Sequence, residues 1–154
     1  MDAQVPPESS KVSVLIVDDD PHILKMVRRT ICKMGFDALE AGSVTEAVDV
    51  LTNHGRISLV ISDIQMPGGS GVDLFNRMKS DRNWASIPIV LMSGCPLPNL
   101  PAEVLILAKP FGNLQFRCVL VAHLGGACPK ATQDSGYNQL GPCRPASCNI
   151  FLGA

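Results

Sequence analysis

Three consecutive carboxylates, Asp18, Asp19 and Asp20, follow directly on the apolar run "VLIV" and stand before Pro21. Like charges a few ångströms apart repel, and a buried carboxylate is costly, so such a stretch needs a compensating partner. Three other polar residues share this context, each closing an apolar run: Asp63 after "ISLVIS", Ser93 after "IPIVLM" and Lys109 after "EVLILA". If those runs are neighbouring strands, three carboxylates, a hydroxyl and an ammonium converge in one small space. A hard divalent cation, Mg2+ above all, would then turn the repulsion among Asp18, Asp19 and Asp63 into shared coordination. Oxygen ligands at a partly hydrated site are what that ion prefers.

The elements that must hold these residues are readable from periodicity. "VSVLIV" (12–17) reads as a strand buried on both faces. Asp20 then serves as an N-cap with Pro21 in the first helical position, and Ile23, Leu24, Val27, Ile31 and Met34 form one apolar stripe that ends at Gly35. "FDALEA" (36–41) is a second strand. Ser43 with Glu46 predicts a capping box, and Val44, Ala47, Val48 and Leu51 the stripe of a helix that closes near Gly55. Strand-like runs at 57–62, 87–92 and 103–108 follow. A helix carrying Val72, Leu74, Phe75 and Met78 comes after "MPGGSG", and a closing helix covers 111–124. Continuous apolar strands without alternation need cover on both faces, which a parallel sheet with helical crossovers provides. Ligands of such sheets bind beyond the carboxyl ends of the strands, where these polar residues stand.

Composition bounds the function. The 154 residues are 46% hydrophobic, enough for one sizeable core and an extension, and 13 basic against 14 acidic residues leave no basic footprint for nucleic acid or an anionic membrane. No apolar run approaches membrane-spanning length and the start is polar, so the expectation is a soluble, cytoplasmic chain with its six cysteines reduced. The expected division is a flexible segment at 1–10, one domain over 11–123 and a flexible tail over 124–154. That tail lacks the periodicity of a DNA-binding helix-turn-helix. Its Cys128, Cys143 and Cys148, taken with His123, lack the short-spaced pairs of a zinc site. His22, His54 and His123 read as helix-surface residues, and Met66 and Pro67 as structural parts of the loop after Asp63.

Each polar residue alone has an ordinary role, as cap, turn or surface lysine; it is their common strand-end position that argues for a site. Together, Asp18-Asp19, "SDIQMPGGSG" around Asp63, Ser93-Gly94 and "KPF" at 109–111 resemble the receiver domain of two-component response regulators, over about residues 11 to 123. The resemblance implies a five-stranded, doubly wound, flavodoxin-like parallel sheet. It implies that Asp63 accepts a phosphoryl group from a histidine kinase or histidine phosphotransfer protein. It further implies Mg2+ held by Asp19, Asp63 and the backbone carbonyl of Gln65, with Asp18 acting largely through water, and Ser93 and Lys109 contacting the phosphoryl group. Lys109-Pro110 is expected to be cis. Such a chain is not an enzyme acting on other substrates; it signals to an unidentified downstream protein, with homodimer formation left open.

Two departures stand out. Ile106 occupies a position, three before Lys109, that is usually aromatic in relatives. Pro96, Pro98 and Pro101 in "GCPLPNLPAE" (94–103) predict a shortened or irregular fourth helix. The competing class is a Mg2+-dependent phosphatase of the haloacid-dehalogenase kind, but the second Asp of that motif falls on Gln65 here. A nucleotide-binding sheet is disfavoured because no glycine-rich phosphate loop follows the first strand.

Overall fold

Burial on both faces is what turns the apolar runs into strands. Val14 to Val17 and Leu59 to Ile61 are wholly inaccessible to solvent in the computed structural model, which describes residues 12–95, 100–101, 104–124 and 150–152. The parallel strands are β1 (Ser13–Val17), β2 (Asp37–Ala41), β3 (Leu59–Asp63), β4 (Ile89–Ser93) and β5 (Leu105–Ala108). Their order across the sheet is β2-β1-β3-β4-β5, the doubly wound flavodoxin-like order expected. A sixth strand, β6 (Ile150–Leu152), lies antiparallel to β5 at the outer edge. Nothing in the residue pattern of the tail had announced it.

Alternate residues of each strand feed two separate cores. Leu15, Val17, Val60 and Leu91 pack with α2 (Val44–Asn53) and α3 (Gly71–Ser80). Val14, Ile16, Leu59, Ile61, Val90 and Met92 pack with α1 (Pro21–Lys33) and α4 (Asn113–Leu124). Because both sets are apolar, the strands show no polar alternation. Burying one such side chain contributes about 1.5–3 kcal/mol, so the central strands are the rigid part of the molecule.

Helix starts are specified locally. Asp20 caps α1, its carboxylate accepting from the His22 amide at 2.8 Å, with Pro21 first in the helix. The helix runs out at Met34 and Gly35, whose φ of +87° is a left-handed conformation suited to glycine. At α2, Ser43 accepts from the Glu46 amide as expected. Glu46, however, reaches back to the amide of Gly42 at 2.7 Å and not to that of the cap itself, so the box is displaced by one residue. The reciprocal box occurs instead at α3, where Ser70 and Asp73 bond each other's backbone amides at 3.1 and 2.8 Å. Those bonds from Ser70 hold the Asp73 carboxyl below the ordinary carboxylate range.

Four helices are present among the described residues. In the crossover from β4 to β5, Gly94, Cys95, Leu100 and Pro101 are not helical, and 96–99 and 102–103 lie outside the described residues, so the expectation for 94–103 is met only as far as those four. The expected flexible segment at 1–10 also lies outside them, as do residues 125–149 and 153–154 of the expected flexible tail 124–154, with Cys128, Cys143 and Cys148; of that tail, Leu124 instead ends α4 and 150–152 form β6. No described helix is long and apolar enough to cross a membrane.

Candidate functional site

The carboxyl ends of β1, β3, β4 and β5 deliver the polar residues to one place. Asp18 continues the line of β1, its amide donating to the Ala41 carbonyl at 3.1 Å, and this ladder bond draws its side chain inward until only 1% of the residue is exposed. Asp19, the next residue, is exposed. Asp63 is the last residue of β3 and 8% exposed. One oxygen from each of these three carboxylates can be chosen so that all lie within 4.8 Å of one another. An all-oxygen donor set, two buried and one open to water, fits a hard divalent cation better than a thiophilic or imidazole-preferring metal.

Lys109, one residue past β5, supplies the opposing charge. Its ammonium lies 3.3 Å from Asp18 Oδ2 and 3.3 Å from Asp63 Oδ1. Burial pulls the Lys109 pKa down, but attraction to Asp18 and Asp63 outweighs it, and the net direction is upward. For Asp18, burial pushes the carboxyl up and Asp63 adds to it. The amide of Asp20, at 2.9 Å from Oδ1, and the Lys109 ammonium counter this without cancelling it. One ammonium therefore faces two buried carboxylates, a local excess of negative charge.

Asp63 is held through both its side chain and its backbone. Its Oδ1 accepts from the Ile64 amide at 2.9 Å, and its carbonyl accepts from the Ser62 hydroxyl at 2.9 Å. Ile64 donates to the Met92 carbonyl of β4, and Gly71 donates to the Ile64 carbonyl, so the chain after Asp63 is tied at both ends of the loop. Gly71 is a residue the sequence pattern did not single out. A Cβ built there would collide with the Asp63 carbonyl oxygen, so the start of α3 can press against the acidic residue only because it is glycine. Its place in the run "GGSG" hints at a turn but not at this contact, which is tertiary.

Ser93 ends β4, opposite Ala108 of β5, and its carbonyl accepts from the Lys109 amide at 2.7 Å. The hydroxyl itself is engaged by the loop, donating to the Cys95 carbonyl at 2.5 Å and accepting from the Cys95 amide at 3.2 Å. Gln65 lies in a two-residue hairpin arm, Gln65–Met66 paired with Gly69–Ser70, immediately beyond the cluster, and is exposed. The Lys109-Pro110 bond is cis, as expected. A shallow groove lined by Val48, Asn76, Arg77 and Trp84 shares no residue with this cluster.

Comparison with known proteins agrees with the geometry. The response regulator receiver domain model matches residues 14–108. A chemotaxis protein CheY homolog of Campylobacter jejuni is 28% identical over 83 residues, 53% of this chain and 64% of that protein. The two-component response regulator ARR16 of Arabidopsis thaliana is 32% identical over 107 residues, 61% of this chain and 63% of that protein. The match thus spans somewhat less than two thirds of these relatives. Among solved structures, chemotaxis protein CheY4 of Vibrio cholerae aligns with a TM-score of 0.69 at 24% identity, covering 74% of this chain and 99% of that one, which shows the shared fold.

Proposed function

This chain belongs to the response regulator receiver family, and from that premise we propose that it works as a response regulator phosphorylated on Asp63. The observation that carries the reading is the Lys109 ammonium held 3.3 Å from both Asp18 and Asp63 within a cluster of three carboxylates.

In the proposed reaction a carboxylate oxygen of Asp63 attacks the phosphorus of a phosphohistidine on a kinase or phosphotransfer protein. An O–P bond forms, the N–P bond breaks, and its electron pair returns to the ring nitrogen; with the other ring nitrogen already carrying a proton, the histidine leaves as neutral imidazole. Asp18, Asp19 and Asp63, with the backbone carbonyl of Gln65, would hold Mg2+. When bound, that ion supplies positive charge against the phosphoryl oxygens. The Ile64 amide orients the attacking carboxylate, while the Ser62 hydroxyl and the close approach of Gly71 fix the backbone carbonyl of the residue that carries it, and phosphoryl transfer depends chiefly on such positioning. Lys109 follows the negative charge as it moves from the Asp63 carboxylate to the phosphoryl oxygens. Ser93 exchanges its bond to the Cys95 carbonyl for one to the phosphoryl group, and that exchange reports the modified state to the β4–β5 loop.

The phosphatase alternative is disfavoured by the family match and by Gln65, which cannot serve as the general acid that turnover of external substrates requires. Incubation with Mg2+ and acetyl phosphate, read by intact mass, tests the proposal. Wild type gains one phosphoryl group and Asp63→Ala gains none. Equal labelling of the two, or no labelling of wild type, overturns it.

A further inference from the structure

The five parallel strands leave β5 as an edge, with one row of backbone N–H and C=O groups not used by β4. The chain's own triplet Ile150–Leu152 occupies it, Leu107 opposite Ile150, Ile106 opposite Phe151 and Leu105 opposite Leu152. Within 125–154 this triplet is the one run of three consecutive strongly apolar residues, bounded by Pro145 upstream and Gly153 downstream. Its composition suits a strand and its flanks keep that strand short. Three residue pairs make a weak strand by themselves. Residues 125–149 connect it to α4, and a segment of that length reaches about 80 Å when extended, several times the length of β5. The triplet is thus a tethered occupant, favoured by high effective concentration more than by its own contacts.

We propose that the outer edge of β5 is a strand-acceptor surface that the chain's own residues 150–152 fill in cis. A partner docking there by strand addition presents an extended, apolar, proline-free segment and must displace this triplet. The edge is also close to the chemistry. Leu107, the last residue in the pairing, is two positions before Lys109, and Ala108 pairs with Ser93. The pairing is present with Asp63 unmodified, and the test does not use phosphorylation.

The experiment uses the full chain and a full-length variant carrying Ile150→Pro and Phe151→Pro together. Whichever of the two amides serves the ladder, one replacement removes a donor. Hydrogen exchange should show the alternate β5 amides that face outward losing protection at least tenfold in the variant. Those facing β4, and the amides of 14–17 and 60–62, should keep theirs, showing that the fold is intact. A fluorescent peptide of residues 148–154, supplied at millimolar concentration to match what the tether provides, should bind the variant and leave the wild type essentially unlabelled. Unchanged outward-facing amides, or equal peptide binding to both chains, overturns the proposal. Wild-type protection that disappears on dilution also overturns it, because the strand would then come from a second copy.

Discussion

β3 holds two kinds of residue side by side. Leu59 to Ile61 are inaccessible and apolar, each touching a helix layer, while Asp63, two positions on from Ile61, ends the same strand facing two other carboxylates. The interior is arranged for stability and the carboxyl edge against it. Burial raises the pKa of Asp18, which means that the folded chain would hold this residue more easily without its charge. A strand that is rigid up to its last residue can keep groups together that would otherwise move apart, and the rigidity of the interior is what makes the edge usable.

Substitutions on the two sides should therefore differ in kind. Leu59→Ala, in the interior, is expected to lower stability by about 2–5 kcal/mol in denaturant titration. Below its melting temperature it should still label with acetyl phosphate at the wild-type level. Gly71→Ala crosses the boundary, because the added methyl meets the Asp63 carbonyl. Its expected loss is about 1–3 kcal/mol, and unlike Leu59→Ala it should slow labelling even where the chain is fully folded. Equal labelling rates for these two variants would erase the distinction. Ser70→Ala removes one arm of the α3 capping box and should cost about 1 kcal/mol without altering the labelling rate.

The smallest expected change has the opposite sign. Asp18→Asn keeps the shape of a buried group whose charge is costly, and should raise the thermal midpoint of metal-free protein slightly. A raised carboxylate pKa means that the folded chain binds its proton more tightly than the unfolded one. The contribution of Asp18 to wild-type stability therefore falls as pH rises from 3.8, the ordinary value, through the raised value. The advantage of Asp18→Asn should grow over that same interval and level off above it. Added Mg2+ should then reverse the order, stabilising wild type by about 2.7 kcal/mol at a hundredfold excess over its Kd and the variant by less. A variant that is less stable than wild type without metal at neutral pH would show that the Lys109 pair outweighs the burial of Asp18.

Much of this arrangement was legible beforehand because it is written in local patterns. Apolar runs without alternation marked the covered strands, their terminal polar residues marked where Asp18, Asp19, Asp63 and Lys109 come together, and Asp20, Pro21 and Ser43 marked helix starts where α1 and α2 begin. What stayed hidden depends on contacts between distant segments. No local rule makes Gly71 special until Asp63 is packed against it, and no spacing tells which of two adjacent aspartates turns inward. β6 was invisible for the same reason: three apolar residues in a tail acquire meaning only beside an open strand. The reciprocal box at Ser70 and Asp73 was local and could have been found, but the glycines before it drew attention to a turn.

Asp20 does not join the cluster of Asp18, Asp19 and Asp63, yet it connects that cluster to the rest of the molecule. Its amide is held by Asp18, its carboxylate starts α1, and its carbonyl accepts the first helical bond from Leu24. The thirteen-residue α1 is thus a rod about 20 Å long whose pivot is hydrogen-bonded to the charged pocket. A small turn of Asp18 as a cation or phosphoryl group arrives would swing the far end, near Thr30 and Lys33, through a larger arc. Amide shifts there should follow loading of the pocket, and silence at that end would mean that the lever is locked.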